Sequence, residues 1–213
     1  MIDEQTEKRR SSFWRELPIL LGVAVLVAVL VRAFVLQTFY IPSPSMEHTL
    51  NVLDRVLVNK LVYDFRDPHR GEIIVFEAPS EWQSGAEGED FIKRIIGIPG
   101  DKISFDPDVN KLSINGVLLD EPYIYHDADG QQDPPASREF EVTVPAGRLW
   151  VMGDHRSASG DSLEHFNDSG DNVQEATISE DSIVGRAFTV FWPVGRATWL
   201  TVPDGYSKIP DPK

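Results

Sequence analysis

An apolar run of 20 residues, Leu17–Leu36, contains a single charged side chain, that of Arg32. As an α-helix this run would be about 30 Å long, which matches the hydrocarbon core of a bilayer. Arg32 is close enough to the end of the run for its guanidinium group to reach the lipid headgroups. Because the run has no polar helical face, a buried helix of a soluble protein is disfavoured. The sequence therefore predicts a transmembrane helix, with the lipid bilayer as a partner.

The orientation of this helix follows from the basic residues around it. The first basic residue after the run is Arg55. The positive-inside rule then predicts a single-pass protein of the cytoplasmic membrane, with its N-terminus in the cytoplasm and residues 40–213 outside. A cleaved signal peptide is the alternative, since Ser43 and Ser45 form a small-x-small pair, but this pair lies seven or more residues beyond the run. The basic residues before the run are Lys8, Arg9, Arg10 and Arg15.

Beyond the run, short segments rich in Val, Ile and Phe alternate with turn residues. Pro42 and Pro44 exclude a continuing helix, and Asn115-Gly116 is typical of a hairpin turn. The predicted fold class is mainly β: one N-terminal transmembrane helix followed by an all-β domain of folded antiparallel sheets or a barrel. The predicted strands are Arg55–Lys60, Glu72–Phe76, Phe91–Ile98, Lys102–Phe105, Lys111–Ile114, Phe140–Val144, Leu149–Met152, Ile183–Phe191 and Arg196–Val202.

This pattern divides the chain into segments. Within the β domain, residues 103–148 are interpreted as an insertion less essential to function, and the polar stretches 80–89 and 127–138 are expected to be exposed loops. The segments are a cytoplasmic N-terminus (1–16), the transmembrane helix with its interfacial end (17–39), the extracytoplasmic β domain (40–203) and a flexible tail (204–213).

Composition excludes several classes of function. The chain contains no cysteine, so disulfides, thiolate metal sites and a cysteine nucleophile are excluded. Its formal net charge of −14 disfavours nucleic acid as a partner, because phosphate binding needs clustered Lys and Arg. We expect a monomer without cofactor or metal.

Three segments carry candidate chemistry, although each alone is also typical of a surface loop or edge. The first, residues 40–50 (YIPSPSMEHTL), places a serine between prolines just outside the predicted membrane span. The second, residues 91–101 (FIKRIIGIPGD), interrupts an apolar strand with Lys93 and Arg94. A lysine directed at an apolar surface loses hydration, which lowers its pKa and makes it a usable base. The third, residues 152–166 (MGDHRSASGDSLEHF), is dense in small and polar groups after a strand.

Together these segments resemble the bacterial type I signal peptidases. IPSPSMEHTL, DRVLVNKL, RGEIIVFEAP, FIKRIIGIPGD, INGVLLDEPY and GDHRSASGDS follow the family in order and cover most of residues 39–163. The resemblance implies a serine endopeptidase that removes signal peptides from exported preproteins after Ala-x-Ala sites. It implies Ser45 as the nucleophile and Lys93 as the general base. Ser43 and the backbone N–H of Ser45 would form the oxyanion hole.

Further roles also follow from the resemblance. Ser159 would hydrogen-bond and orient the lysine, with Asp161 as a supporting carboxylate. The signal peptide would bind as an added β-strand, which directs alternate side chains into shallow pockets and explains selection at positions −3 and −1. Besides Ser43, the pocket walls implied are Phe39, Ile41, Met46, Leu50, Phe91 and Ile92.

The sequence departs from the family at three positions. Pro44 replaces the small residue between the two serines, which stiffens the loop and removes an N–H donor. His48 stands where proline is common. Leu163 replaces an arginine, so a salt bridge to Asp161 is lost.

Other functions stay open. One is a triad of serine, His155 or His165, and Asp154 or Asp161, since histidine is the commoner base. Another is a non-catalytic or specialised membrane-anchored homologue that acts in the assembly of exported proteins. A third is a metal site formed by His155, Asp161, Glu164 and His165, although the metalloprotease helix motif is missing.

Overall fold

The computed structural model describes residues 16–27, 29, 31–32, 35–83 and 89–212. The chain divides between Gln37 and Thr38 into two compact units. The predicted cytoplasmic segment up to residue 15 and residues 84–88 of one predicted loop lie outside the described residues.

The first unit contains helix α1, whose described helical residues are 16–27, 29 and 31–32. Its apolar side chains are exposed, as Ile19 and Leu21 illustrate. Over the part of the chain that the structure describes, no helix has both the length and the apolarity required to cross a membrane. Four residues of the predicted span (28, 30, 33 and 34) lie outside the described set, and Leu36 already belongs to a strand.

The second unit is built from two antiparallel sheets. The larger has eight strands in the order β1-β2-β11-β3-β4-β9-β10, with β12 paired to β11, and the smaller has the order β7-β6-β5-β8. The strands are β1 Leu36–Tyr40, β2 Arg55–Asn59, β3 Ile73–Glu77, β4 Asp90–Gly97, β5 Lys102–Asp106, β6 Lys111–Ile114, β7 Val117–Leu118, β8 Phe140–Thr143, β9 Arg148–Met152, β10 Ile178–Ser179, β11 Ile183–Trp192 and β12 Thr198–Trp199.

The mainly β fold class is confirmed, and every predicted strand has a counterpart in the structure. The predicted turn at Asn115-Gly116 joins β6 to β7, and both residues have positive φ (53° and 82°), as a two-residue hairpin turn requires. Three strands were not predicted. β1 occupies the end of the segment 17–39 that was assigned to the transmembrane helix and its interfacial end, and the two-residue strands β7 and β10 are too short to show alternation. Two short helices were also missed: α2 (Ser162–Asp168) and α3 (Val173–Ala176).

The predicted flexible tail is corrected by the structure. Residues Asp204–Lys208 form a 3₁₀ helix, and Tyr206 and Ile209 are buried. The carbonyl oxygen of Pro210 accepts hydrogen bonds from Arg70 Nη2 (3.1 Å) and Asn115 Nδ2 (3.0 Å). The tail is held because its two apolar side chains enter the core of the smaller sheet, which polar and proline-rich composition does not reveal.

Candidate active site

Strand β4 carries the two charged residues that interrupt an apolar run, and both are buried. β4 pairs with β3 from Asp90 to Arg94 and with β9 from Arg94 onward. Alternation along a strand directs Lys93 and Arg94 to opposite faces, and only 4% and 2% of their respective surfaces are exposed. Because the sheet is covered on both faces, each buried cation requires a partner that provides compensation for its lost hydration.

Arg94 obtains that compensation from Asp154, in the loop after β9. The guanidinium group makes two hydrogen bonds to the carboxylate, from Nε to Oδ1 (2.8 Å) and from Nη2 to Oδ2 (2.6 Å). Nη1 donates to the carbonyl oxygen of Gly71 at 2.8 Å, and the ring of Tyr123 lies 4.1 Å from the guanidinium carbon. This bidentate pair fixes the loop beside β4.

Lys93 has a hydroxyl partner instead of a carboxylate. Its Nζ atom donates to Ser45 Oγ at 2.8 Å, and Ser45 is also buried. Burial lowers the pKa of Lys93 from 10.5 to about 8, and the more distant Asp161, Asp154 and Glu164 only partly oppose this shift. About a tenth of the lysine is then neutral near pH 7, against well under a thousandth for an ordinary lysine. A desolvated amine in contact with a hydroxyl can remove its proton.

The loop that carries Ser45 is held from both sides. Ser43 Oγ lies 3.3 Å from Ser45 Oγ. The carbonyl oxygen of Ser45 accepts a hydrogen bond from the backbone N–H of His155 (3.1 Å). Met46 and Leu50 are fully buried and anchor the loop in the core. The serine is therefore placed by packing and backbone hydrogen bonds.

Asp161 and Ser159 lie in the segment that faces Lys93. The carboxylate of Asp161 accepts from the backbone N–H groups of Gly153 (2.9 Å) and Leu163 (3.1 Å), and so caps helix α2. Ser159 is buried, and its Oγ has no hydrogen-bond partner among the described residues. The hydrogen bond expected between Ser159 and Lys93 is therefore not formed in this structure.

The residues expected to form pocket walls differ in burial. Ile41, Met46 and Leu50 are fully buried in one core cluster, against which the half-buried Phe39 and Ile92 pack. Phe91 packs against a different cluster, because neighbouring strand residues point to opposite faces. Phe39, Phe91 and Ile92 thus keep exposed surface, whereas Ile41, Met46 and Leu50 do not.

Most of the chain, including the residues described above, matches known proteins. A model of the family described as signal peptidase, peptidase S26, matches residues 14–192. This chain belongs to that family. A probable signal peptidase I-2 of Synechocystis is 38% identical over 94% of this chain and 85% of its own length. A signal peptidase I of Leptolyngbya laminosa is 39% identical over 87% of this chain and 83% of its own. A crystal structure of a signal peptidase I from Enterococcus faecalis aligns with 57% of this chain and 97% of that chain, at 27% identity and a TM-score of 0.41.

The resemblance inferred from the sequence is confirmed: the chain is a type I signal peptidase, a serine endopeptidase. The departures from the family pattern have structural counterparts. Leu163 is buried in the core cluster with Trp150 and Phe166, so packing replaces the missing arginine. His48 adopts a positive φ of 83°, and its Nδ1 lies 3.2 Å from the carbonyl oxygen of Tyr123.

The histidines of the competing triad lie elsewhere in this signal peptidase. The ring of His155 stacks on Tyr125 at 3.8 Å, and its Nδ1 lies 3.3 Å from the carbonyl oxygen of Pro44. His165 stacks on Trp82 at 4.4 Å. Within the described residues Ser45 Oγ has Lys93 and Ser43 as side-chain partners, and no group of His, Asp and Glu is arranged to hold a metal ion.

Two residues that support the site were not predicted. Arg94 was recognised only as a neighbour of Lys93, although adjacent charges in an apolar run could have suggested a buried ion pair. Gly153 was quoted only as part of a motif. A Cβ atom there would lie 2.3 Å from Ser159 Oγ and 2.4 Å from the Ser45 carbonyl oxygen, so only glycine fits.

Proposed function

We propose that this signal peptidase is a membrane-anchored enzyme that removes N-terminal signal peptides from exported preproteins after small-x-small sites, with a Ser45–Lys93 dyad. The observation that carries the proposal is the 2.8 Å contact between Lys93 Nζ and Ser45 Oγ in a buried environment. Desolvation that lowers the pKa of Lys93 to about 8 supplies a base near neutral pH without a histidine.

The proposed reaction uses both members of the dyad twice. Neutral Lys93 accepts the proton of Ser45 Oγ, and the oxygen attacks the carbonyl carbon at position −1. The Lys93 ammonium then protonates the leaving amine as the peptide C–N bond breaks. Lys93, neutral again, activates a water molecule that hydrolyses the acyl-enzyme and releases Ser45.

The developing oxyanion needs donors beside Ser45. The proposed donors are the backbone N–H of Ser45 and the hydroxyl of Ser43, which lies 3.3 Å from Ser45 Oγ. Each such donor contributes about 3–4 kcal/mol to transition-state stabilisation in comparable sites.

An unpaired strand edge supports binding of the signal peptide as an added β-strand. β9 pairs with β4 only from Arg94 onward, so the preceding residues Asp90–Ile92 have β3 on one side and no described strand on the other. The backbone N–H of Ile95 donates to the carbonyl oxygen of Glu72, and that of Ala78 donates to the carbonyl oxygen of Glu89. Residues 89 and 95 thus bond toward β3, and because the bonding direction alternates, so do the other odd-numbered residues between them. The backbone groups of Asp90 and Ile92 therefore face the free edge.

Membrane anchoring of the proposed enzyme depends on the apolar run Leu17–Leu36 and on the basic residues before it. An anchor that leaves residue 40 onward outside would place Ser45 a few residues from the lipid surface, where a signal peptide ends. The half-exposed Tyr40 suits such an interface.

The decisive experiment is cleavage of a precursor with an Ala-x-Ala site by the full-length chain in detergent or lipid. We expect the wild type to cut after the second alanine, as mapped by mass spectrometry. Ser45→Ala and Lys93→Ala should each lower kcat by about 10³-fold or more.

Histidine variants provide the matched controls. His165→Ala should retain nearly full activity, and His155→Ala should lose less than about tenfold, because its ring contacts the backbone next to Ser45 and not the hydroxyl. Full activity in Lys93→Ala would refute the dyad. A wild-type protein that cuts no such precursor would favour the non-catalytic alternative.

A further inference from the structure

A cleft lies beside the segment that links β9 to helix α2, the same segment whose His155 N–H donates to the Ser45 carbonyl oxygen. It has a volume of about 350 Å³ and lies between residues 135–137 and the segment from Arg156 to Asn167. Its walls include Ser137, Met152, Ser159, Gly160 and Glu164.

Ser159 connects this cleft to the nucleophile. A Cβ atom built on Gly153 would nearly touch both Ser159 Oγ and the carbonyl oxygen of Ser45, so these two atoms lie beside each other. Ser159 is only 9% exposed, and its Oγ has no hydrogen-bond partner within the described part of the chain. Ser159 also lines the cleft, so this buried hydroxyl without a partner lies in its wall.

The course of the sheet shows which part of a substrate reaches the cleft. The free edge of β4 lies on the N-terminal side of Lys93, and past Lys93 the same edge is occupied by Met152 of β9. A peptide paired to Asp90–Ile92, with its scissile bond at Ser45, therefore has to leave the sheet where Met152 begins. Met152 also lines the cleft. For a signal peptide that runs parallel to β4, the residues after the scissile bond meet the cleft next.

The cleft is lined by two carboxylates, of which Asp161 is buried and bonded to backbone N–H groups, so Glu164 is the one that a ligand meets. Its side chain is exposed, and a Cβ atom on Gly160 would lie 3.4 Å from its Oε2 atom. Glu164 has no ion pair among the residues that the structure describes. Arg156, the cation in the wall, is already paired with Glu121. An unpaired carboxylate at a binding cleft attracts basic groups and repels acidic ones.

We propose that this cleft binds the first residues of the mature chain, on the carboxyl side of the scissile bond, and that Glu164 selects basic over acidic side chains there. The inference rests on the proposed function, since it assumes that Ser45 cuts a peptide held on the β4 edge. The amino group released by cleavage also gains a proton, and the same carboxylate attracts it as an ammonium.

The test compares precursors that are identical except at positions +1 to +3, which carry Lys, Gln or Glu. With full-length wild type in detergent, kcat/KM should be about two- to fivefold higher for the Lys precursor than for the Glu precursor at low salt, the size expected of an exposed ion pair. Glu164→Gln should remove this preference, and Glu164→Lys should reverse it.

Asp168→Asn is the matched control, because Asp168 is exposed on the same helix but does not line the cleft. It should keep the preference. Ser137→Trp should fill the cleft from the opposite wall and slow precursors with bulky residues at +1 to +3 more than those with alanine there.

The outcomes separate this inference from the proposed function. If wild type cleaves all three precursors equally, or if Glu164→Gln leaves the preference unchanged, the inference is wrong while the dyad stands. If Glu164 variants alter selection at −2 or −4 instead, the peptide runs in the opposite direction and the inference is also wrong. Loss of Ser45-dependent cleavage altogether would overturn both.

Discussion

At the scale of single residues, the site depends on one lysine being kept from water. Lys93 is 4% exposed and its hydrogen-bond partner is the neutral Ser45 hydroxyl. A carboxylate in direct contact would hold the ammonium form and remove the base. Asp161 and Asp154 are close enough to raise the pKa, but their own hydrogen bonds go to backbone N–H groups and to Arg94. The lowering of the Lys93 pKa by burial is therefore larger than the rise caused by these two carboxylates.

The pH dependence of cleavage follows from this residue. As the proposed general base, Lys93 acts only when unprotonated, and burial lowers its pKa from 10.5 to about 8. We expect kcat/KM to rise about tenfold per pH unit well below pH 8 and to level off above it. Initial rates on one precursor between pH 6 and 9 would measure this, with unfolding followed over the same range as a control. A flat profile between pH 6 and 8 would contradict the lysine base.

At the scale of elements, the loop between β9 and α2 joins the nucleophile, the lysine and the buried ion pair. Its residues Asp154, His155 and Asp161 contact β4, the Ser45 loop and helix α2 respectively. Gly153 lies where these contacts converge, since a side chain there would meet Ser45 and Ser159. The precision of the site is thus a property of backbones that approach each other closely.

Gly153→Ala is expected to damage the site more than the fold. Its Cβ would lie 2.4 Å from the Ser45 carbonyl oxygen, so the serine loop has to shift. We expect activity to fall by about 10²-fold and the free energy of unfolding by about 1–3 kcal/mol. Gly195→Ala is the matched control, because nothing lies within 4 Å of the added atom. Equal activity in the two variants would show that the close approach is unimportant.

At the scale of the whole molecule, the C-terminal segment supports the loop between β9 and α2 through buried polar groups. The hydroxyl groups of Tyr206 and Tyr123 are 2.6 Å apart, and Tyr123 also donates to Glu121 at 2.7 Å. Glu121 is the ion-pair partner of Arg156, whose Nε donates to the carbonyl oxygen of Gly153. Residues from the far end of the chain thus hold the loop beside the dyad.

Removal of the Tyr206 ring should therefore destabilise the whole domain. We expect Tyr206→Ala to lower the free energy of unfolding by about 3–5 kcal/mol, as for other large core aromatics. Tyr206→Phe should cost only about 1 kcal/mol, because it removes one hydrogen bond while Tyr123 keeps Glu121 as a partner. Denaturant unfolding of the full-length chain measures both, and Lys208→Ala, exposed in the same turn, should be nearly neutral. A neutral Tyr206→Ala would show that the tail is loose after all.

Much of this protein could be predicted from local sequence. Strands appear as Val- and Ile-rich runs between turn residues, the hairpin at Asn115-Gly116 follows from residues that tolerate positive φ, and Ser45 and Lys93 stand in motifs of a known family. These features depend on neighbours along the chain, so sequence reports them. The two-residue strands, the docked tail and the unpartnered Ser159 hydroxyl were beyond prediction.

The remaining features depend on residues far apart in sequence. Lys93 and Arg94 are both desolvated because their strand is buried on both faces. Their partners differ because the fold places Ser45 beside Lys93 and Asp154 beside Arg94. Among the residues that the structure describes, the edge of β4 before Lys93 has no partner strand, because β9 ends at Met152. Sequence thus determined which groups could react, whereas only tertiary packing decided their solvation and contacts, because both depend on what the folded chain brings alongside.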